Sequence, residues 1–240
     1  MKKLFCLIVL LTVSVYAQHS GLKIKHLSGD VYAYTTHKLF SGNPFPSNSV
    51  YIVTEEGVVL IDTPWDEAQF QPLLDTIKKR HNKDVVLCIA THYHDDRTAG
   101  LEYFKNKGVA TYSSKQTYDL CAEYNEKQAA HYFTKDTLFT VGGYTIKTFY
   151  PGEGHTKDNI VIWLPKDKIL YGGCLVKSVE SSGLGNVADA NLEAWDETIK
   201  KLLENYPDIA FVVPGHFKWS KNTEALHHTL KLLEKNENGD

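Results

Sequence analysis

The sequence predicts an α/β fold in which two sheets pack face to face with helices on their outer surfaces, in one domain. Three observations carry this. Residues 22–63 alternate apolar and polar positions, the period of strands with one face buried, and strand-like runs begin again over 137–173. Each of these stretches is followed by segments whose apolar residues recur at helical spacing. No Gly/Ser-rich linker, low-complexity run or residue-level repeat separates the halves, so the economical arrangement is a single core between two sheets.

Taken in order, the chain of 240 residues opens on a segment outside that core. Lys2 and Lys3 precede an apolar run, Leu4 to Val15, too short to span a bilayer and closed by Val15-Tyr16-Ala17. This is the pattern of a cleaved secretory signal peptide over 1–17, with a mature domain over 18–240 and a periplasmic destination. No second apolar run of membrane length follows, and Cys6 lies inside the leader, so neither a spanning anchor nor lipid attachment is expected. Removing Lys2 and Lys3 leaves 24 basic against 29 acidic residues, a net −5 in place of −3. Such a chain offers no basic face to nucleic acid. Three cysteines remain, Cys88, Cys121 and Cys174, and an odd number in an oxidising compartment leaves at least one free or holding something. Cys88 fits a small buried hydrophobe and Cys121 fits core or surface filler in a helix.

Residues 22–63 predict an antiparallel meander with turns at Ser28-Gly29-Asp30 and Glu55-Glu56-Gly57. Between two of its strands, residues 37–48 carry Gly, Pro, Asn and Ser with Leu39, Phe40 and Phe45, which predicts an exposed loop with apolar tips. A helix is expected from about Gln69, with Pro72 in its first turn, and a buried strand over 84–90. A short helix over 99–105, a strand over 109–112 and a longer helix over 114–127 follow. The second half predicts four strands, a helix striped by Leu192, Trp195, Ile199, Leu202, Leu203 and Tyr206, the strand IAFVVPGH and a last helix over 222–235.

Chemistry concentrates in THYHDDRTAG, residues 91–100, directly after the buried strand DVVLCIA. His92, His94 and Asp96 cannot share one helix face, but on a loop leaving a strand they can converge on metal, and a mixed imidazole/carboxylate set suits zinc. The same grammar recurs three times: His155 in PGEGHTKDN, Cys174 in ILYGGCLVK and His216 in FVVPGHFKW, each beside glycine where the chain meets a strand end.

THYHDDRTAG, GEGHTKDN, GGCLVKS and VPGH, in this order, resemble the metal-binding motifs of the class B metallo-β-lactamases and of their first, two-zinc subclass, over essentially the whole mature chain. HxHxD alone marks the wider superfamily; the narrowing features are Arg97, where hydrolases such as glyoxalase II carry another histidine, and Cys174, where an aspartate would bridge the metals. The resemblance implies the four-layer αββα sandwich of the metallo-β-lactamase fold and two Zn2+ per chain, one held by His92, His94 and His155 and the other by Asp96, Cys174 and His216. It implies hydrolysis of the β-lactam ring of penicillins, cephalosporins and carbapenems, with antibiotic resistance as its consequence. Three neutral imidazoles leave the first ion strongly acidifying, and zinc-bound water with a pKa of about 7 provides a hydroxide nucleophile at neutral pH. The resemblance further implies catalytic roles for Asp96, which orients the nucleophile, and Asn186, which donates to the oxyanion. Lys177 would bind the substrate carboxylate. Arg97 and Asp62 would support the site from behind, and residues 37–48 would form a mobile substrate-covering hairpin whose apolar contacts are Phe45 and Leu39. The small-molecule substrate is the only partner this implies, for a monomer. Two rival readings are an ester or thioester hydrolase of the same fold and a non-catalytic zinc protein; three protein ligands per ion argue against the latter, since structural zinc usually has four.

Overall fold

The computed structural model describes residues 21–40 and 42–238; the leader over 1–17 lies outside the described residues. One sheet contains, in spatial and chain order, β1 (Lys23–Ser28), β2 (Val31–Phe40), β3 (Asn43–Val53), β4 (Val58–Ile61), β5 (Val85–Ile89), β6 (Ala110–Ser114) and β7 (His131–Phe133). The other contains β8 (Leu138–Val141), β9 (Tyr144–Phe149), β10 (Val161–Leu164), β11 (Ile169–Gly173), β12 (Phe211–Pro214) and β13 (Ser220–Lys221), again as neighbours in sequence order. The first sheet is antiparallel through β4 and parallel from β4 to β7, and β11 and β12 form a parallel pair in the second. Among the described residues six α-helices accompany the sheets: α1 (Phe70–His81), α2 (Asp95–Thr98), α3 (Leu101–Asn106), α4 (Lys115–Glu123), α5 (Leu192–Asn205) and α6 (Glu224–Glu237).

Strand periodicity decides which core each side chain enters. Val59 and Ile61 of β4, and Leu87 and Ile89 of β5, point between the sheets to meet Ile162 and Leu164 of β10 and Ile169 and Tyr171 of β11. Their sequence neighbours Leu60 and Cys88 face outward onto Leu73 and Ile77 of α1 and Phe104 of α3. On the far side Val161, Leu170 and Val212 pack under Trp195, Ile199 and Leu202 of α5 and Leu226 of α6. Three apolar layers between four structural layers make this the αββα sandwich. Each fully buried Leu, Ile or Val contributes about 1.5–3 kcal/mol, which is what holds the 14-residue α5 in place when a helix of that length is marginal alone.

Two elements differ from their sequence expectation. Residues 37–48 are not a loop: β2 and β3 remain paired out to Phe40↔Asn43. Pro44 and Pro46 suggest a loop because they lack an N–H, but they lie two residues apart and so occupy equivalent ladder positions. β4 pairs only with Val50–Val53, so nearer the hairpin tip the outer side of β3 has no strand to which a missing N–H would matter. The helix expected to reach 127 stops at Glu123, because Asn125 adopts the left-handed conformation (φ 59°) that asparagine tolerates better than most residues. Among the described residues, no helix is long and apolar enough to cross a membrane.

Candidate metal centre

Four strand ends deliver the chemistry to one edge of the sandwich. β5 runs out into His92 and His94, and α2 carries Asp96; His155 lies in the turn before β10, Cys174 follows β11 and His216 follows β12. Turning sharply there has local causes. Gly173 sits at φ +54°, and a Cβ on Gly215 would fall 2.7 Å from Arg97 Nη2 and 2.8 Å from Cys174 Sγ, so the chain can pass this close to the donors only without a side chain.

Donor atoms of Asp96, Cys174 and His216 all lie within 4.8 Å of one another, as do those of His92, His94 and Asp96 and those of His92, His155 and Cys174. The rings of His92, His94 and His155 meet edge-on with centroids 4.9–5.1 Å apart, and His155 Nε2 is 3.2 Å from His94 Nδ1. All six sequence-predicted ligands therefore belong to one cluster. Burial pushes His92 and His155 well below the usual histidine range, keeping them neutral with lone pairs to offer. His92 Nε2 is buried and has no hydrogen-bond partner among the described residues, a cost that metal ligation would remove. His94 Nε2 donates to Asp189 Oδ2 (3.1 Å) and His216 Nδ1 to the Pro46 carbonyl (2.7 Å), so each ring turns its other nitrogen toward the cluster. Burial alone would lower the pKa of His216; the adjoining Cys174 sulfur and Asp96 carboxylate reverse this and push it up to about 9. The two neighbours thus favour positive charge at this spot, and the residues present fit divalent metal.

Arg97 lies behind them, fully buried. Its Nη2 contacts Asp96 Oδ2 (2.8 Å), Cys174 Sγ (3.0 Å) and the Gly215 carbonyl (3.0 Å), while Nη1 donates to the Asn48 carbonyl (2.7 Å) and the Tyr171 hydroxyl (2.9 Å). Burial would raise the Asp96 pKa, but the guanidinium and His216 hold it well below the usual carboxylate range, so the carboxylate is ionised. Asp62 accepts from Thr91 N (2.7 Å), Thr91 Oγ1 (2.9 Å) and Tyr171 OH (2.6 Å), which anchors the first residue of the histidine loop. Its own burial pushes it up to about 6.

Comparison with known proteins now decides the family. The model of the metallo-β-lactamase superfamily matches residues 42–216. The chain belongs to that superfamily. It is 44% identical over 212 residues to a metallo-β-lactamase type 2 of Elizabethkingia meningoseptica, covering 88% of this chain and 85% of the relative. It is 40% identical over 234 residues to the metallo-β-lactamase IND-1 of Chryseobacterium indologenes, with 97% and 98% covered. A solved metallo-β-lactamase from Pontibacter korlensis superposes with a TM-score of 0.85 at 40% identity, over 89% of this chain and 99% of that one. Arg97 after Asp96, and Cys174 among the donors, agree with the first subclass that the motifs resemble.

In this metallo-β-lactamase superfamily member, His94, Asp96, His155, Cys174 and His216 border a cavity of about 810 Å³, the size of a small-molecule site, with His92 buried behind them. Lys177 lines it, largely buried, with Nζ 5.0 Å from the Trp195 ring centre; burial pushes its pKa down to about 8, so it stays mainly cationic at pH 7. Asn186 lines it as well, exposed, with Oδ1 accepting from Ala188 N, so what it can offer a ligand is its Nδ2 donors. The expectation for the hairpin needs a correction at one residue: Phe45 lines the cavity but Leu39, 68% exposed, does not, and its neighbour Phe40 does. Alternation along β2 sends the two residues to opposite faces. Trp65, 5.0 Å from Phe40 and 6.3 Å from Phe45 between ring centres, completes the apolar wall. Sequence reading missed Trp65, Asp189, Tyr171 and Asn48. Only Asp189 has a local signal, three residues after Asn186 in GNVAD. Cys88, Cys121 and Cys174 are buried and unpaired.

Proposed function

We propose that this chain hydrolyses the β-lactam ring of penicillins, cephalosporins and carbapenems, and so confers resistance, as a zinc-dependent enzyme with two Zn2+ per chain. The observation that carries this reading is the convergence of six donors, from four separated loops, with five of them (all but the buried His92) lining a cavity that also holds a buried cation, Lys177.

His92, His94 and His155 would hold one ion and Asp96, Cys174 and His216 the other. Zinc, when bound, supplies Lewis acidity, making water a nucleophile near neutral pH and polarising the lactam carbonyl. His92 and His155, neutral through burial, need lose no proton to serve as ligands. Asp96, ionised, can accept a hydrogen bond from the attacking water with one oxygen and so orient it. Asn186 would donate through Nδ2 to the oxygen of the tetrahedral intermediate. Lys177 would pair with the carboxylate beside the lactam nitrogen, and Phe40, Phe45 and Trp65 would cover the apolar parts of the ligand. In the cell the leader over 1–17 is removed and residues 18–240 work in the periplasm as a monomeric single domain.

The test is hydrolysis of a carbapenem and a cephalosporin by the purified mature chain with zinc, followed by absorbance. Ring opening supports the reading; cleavage of thioesters without ring opening overturns it. Within the site, Lys177→Ala is expected to raise KM roughly tenfold or more, the worth of a charge-assisted hydrogen bond, with zinc content unchanged. Parallel loss of zinc would contradict the binding role.

A further inference from the structure

Asn48 stands in β3 where that strand passes beyond β4 and becomes one arm of the hairpin. It is 1% exposed, so each of its polar atoms must be satisfied within the protein, and each is. The two hydrogens of Nδ2 go to the carbonyls of Pro214 (3.1 Å) and Phe217, and Oδ1 accepts from Thr35 Oγ1 (2.8 Å). Its backbone N–H donates to the Gly215 carbonyl (2.7 Å), and its own carbonyl accepts from Arg97 Nη1. Three of these bonds grip residues 214–217, the segment that carries His216.

That segment needs gripping. Phe217 has φ +61°, a region in which a bulky residue with a Cβ persists only when its surroundings hold it there. The carbonyl of Phe217 is one of the two that the Asn48 amide holds. On the other side of the donor, the Pro46 carbonyl fixes His216 Nδ1, and the Phe45 ring lies 5.1 Å from the His216 ring and 5.2 Å from Phe217. Only a primary amide supplies two donors and an acceptor in this plane: aspartate would set a second oxygen against two carbonyls, and serine has one short donor.

We infer that Asn48 is a positioning residue for the second cation: it fixes His216 beside Asp96 and Cys174 and ties that site to the arm of the hairpin. The inference rests on the donor assignment proposed above and adds a residue that touches neither metal nor substrate. Asn48→Ala keeps the backbone bonds to Gly215 and Arg97 and removes only the side-chain grip, so the loss should fall on the site containing His216 and spare the three imidazoles.

The test is titration of the metal-free mature chain with Co2+, following the near-ultraviolet thiolate-to-metal band that reports Cys174, and in parallel equilibrium dialysis with Zn2+. Wild type is expected to bind two ions. In Asn48→Ala the event that develops the thiolate band should weaken roughly ten- to a hundredfold, with the other changed by less than about twofold, since two buried carbonyls lose their donors on one loop only. Thr35→Val, a near-isosteric change that frees the amide to turn over, should shift the same event in the same direction by a few-fold and keeps the test alive if Asn48→Ala does not fold. Ile77→Val, a buried change in α1 remote from the site, is the control for general loosening and should move neither event. If wild type binds two ions and the Asn48 and Thr35 variants match it, or lose both events equally, the inference is overturned while the donor assignment stands. If wild type gives no thiolate band, the assignment itself is wrong and the inference falls with it.

Discussion

Exhaustive chelation and dialysis should abolish β-lactam hydrolysis by this chain, zinc should restore it, and inhibitors that act by acylating a serine should leave it intact. This follows from where the nucleophilic power resides. No GxSxG motif is present in the sequence, and the groups gathered in the donor cluster are three imidazoles, a carboxylate, a thiol and a fourth imidazole, a metal-binding set. Lewis-acid stabilisation is worth several kcal/mol of the barrier, so removing it should lower kcat/KM by about a thousandfold or more. The measurement is initial rate against residual zinc, the latter by atomic emission. Turnover that persists in the metal-free chain would contradict the assignment.

Arg97→Ala should destabilise the protein by about 3–5 kcal/mol, the usual cost of removing one member of a buried ion pair. The guanidinium is fully buried between Asp96, Cys174, Tyr171 and two main-chain carbonyls, and it lies 3.7 Å from Asp62. Without it, two buried carboxylates and the carbonyls of Asn48 and Gly215 lose their counter-charge or donor together. Urea unfolding of the metal-free protein checks this, and Arg97→Lys should recover only part of the loss, since an ammonium keeps the charge but cannot span both sides of the fork. Unchanged midpoints in Arg97→Ala would show that the network contributes little.

The six donors are legible in the sequence because the four short motifs that carry them follow or precede apolar strand runs, and strand ends on one edge of a sandwich must lie near one another. The four layers are legible from those strands as well: Leu60 and Ile61, or Leu170 and Tyr171, differ by one position and so enter different cores. What escaped is of another kind. Asn48 and Phe217 are 169 residues apart, and an asparagine in PFPSNSV looks like a turn residue until tertiary closure brings the 214–217 carbonyls to it. Tyr171 occupies an ordinary inward position of β11, and only the coordinates reveal Asp62 and Arg97 against its hydroxyl. The sequence does not distinguish Phe40 from Leu39, because a residue in a loop has no fixed face, whereas a residue in a paired strand does.

His92, His94 and His155 are proposed to hold one cation and Asp96, Cys174 and His216 another. Diffraction data on either side of the zinc absorption edge, from crystals grown with zinc, test it directly. Two anomalous peaks are predicted, one enclosed by the three imidazoles and one touching the Cys174 sulfur. A single peak shared by all six donors, or none with His155, Cys174 and His216 turned from the 92–96 segment, would contradict it.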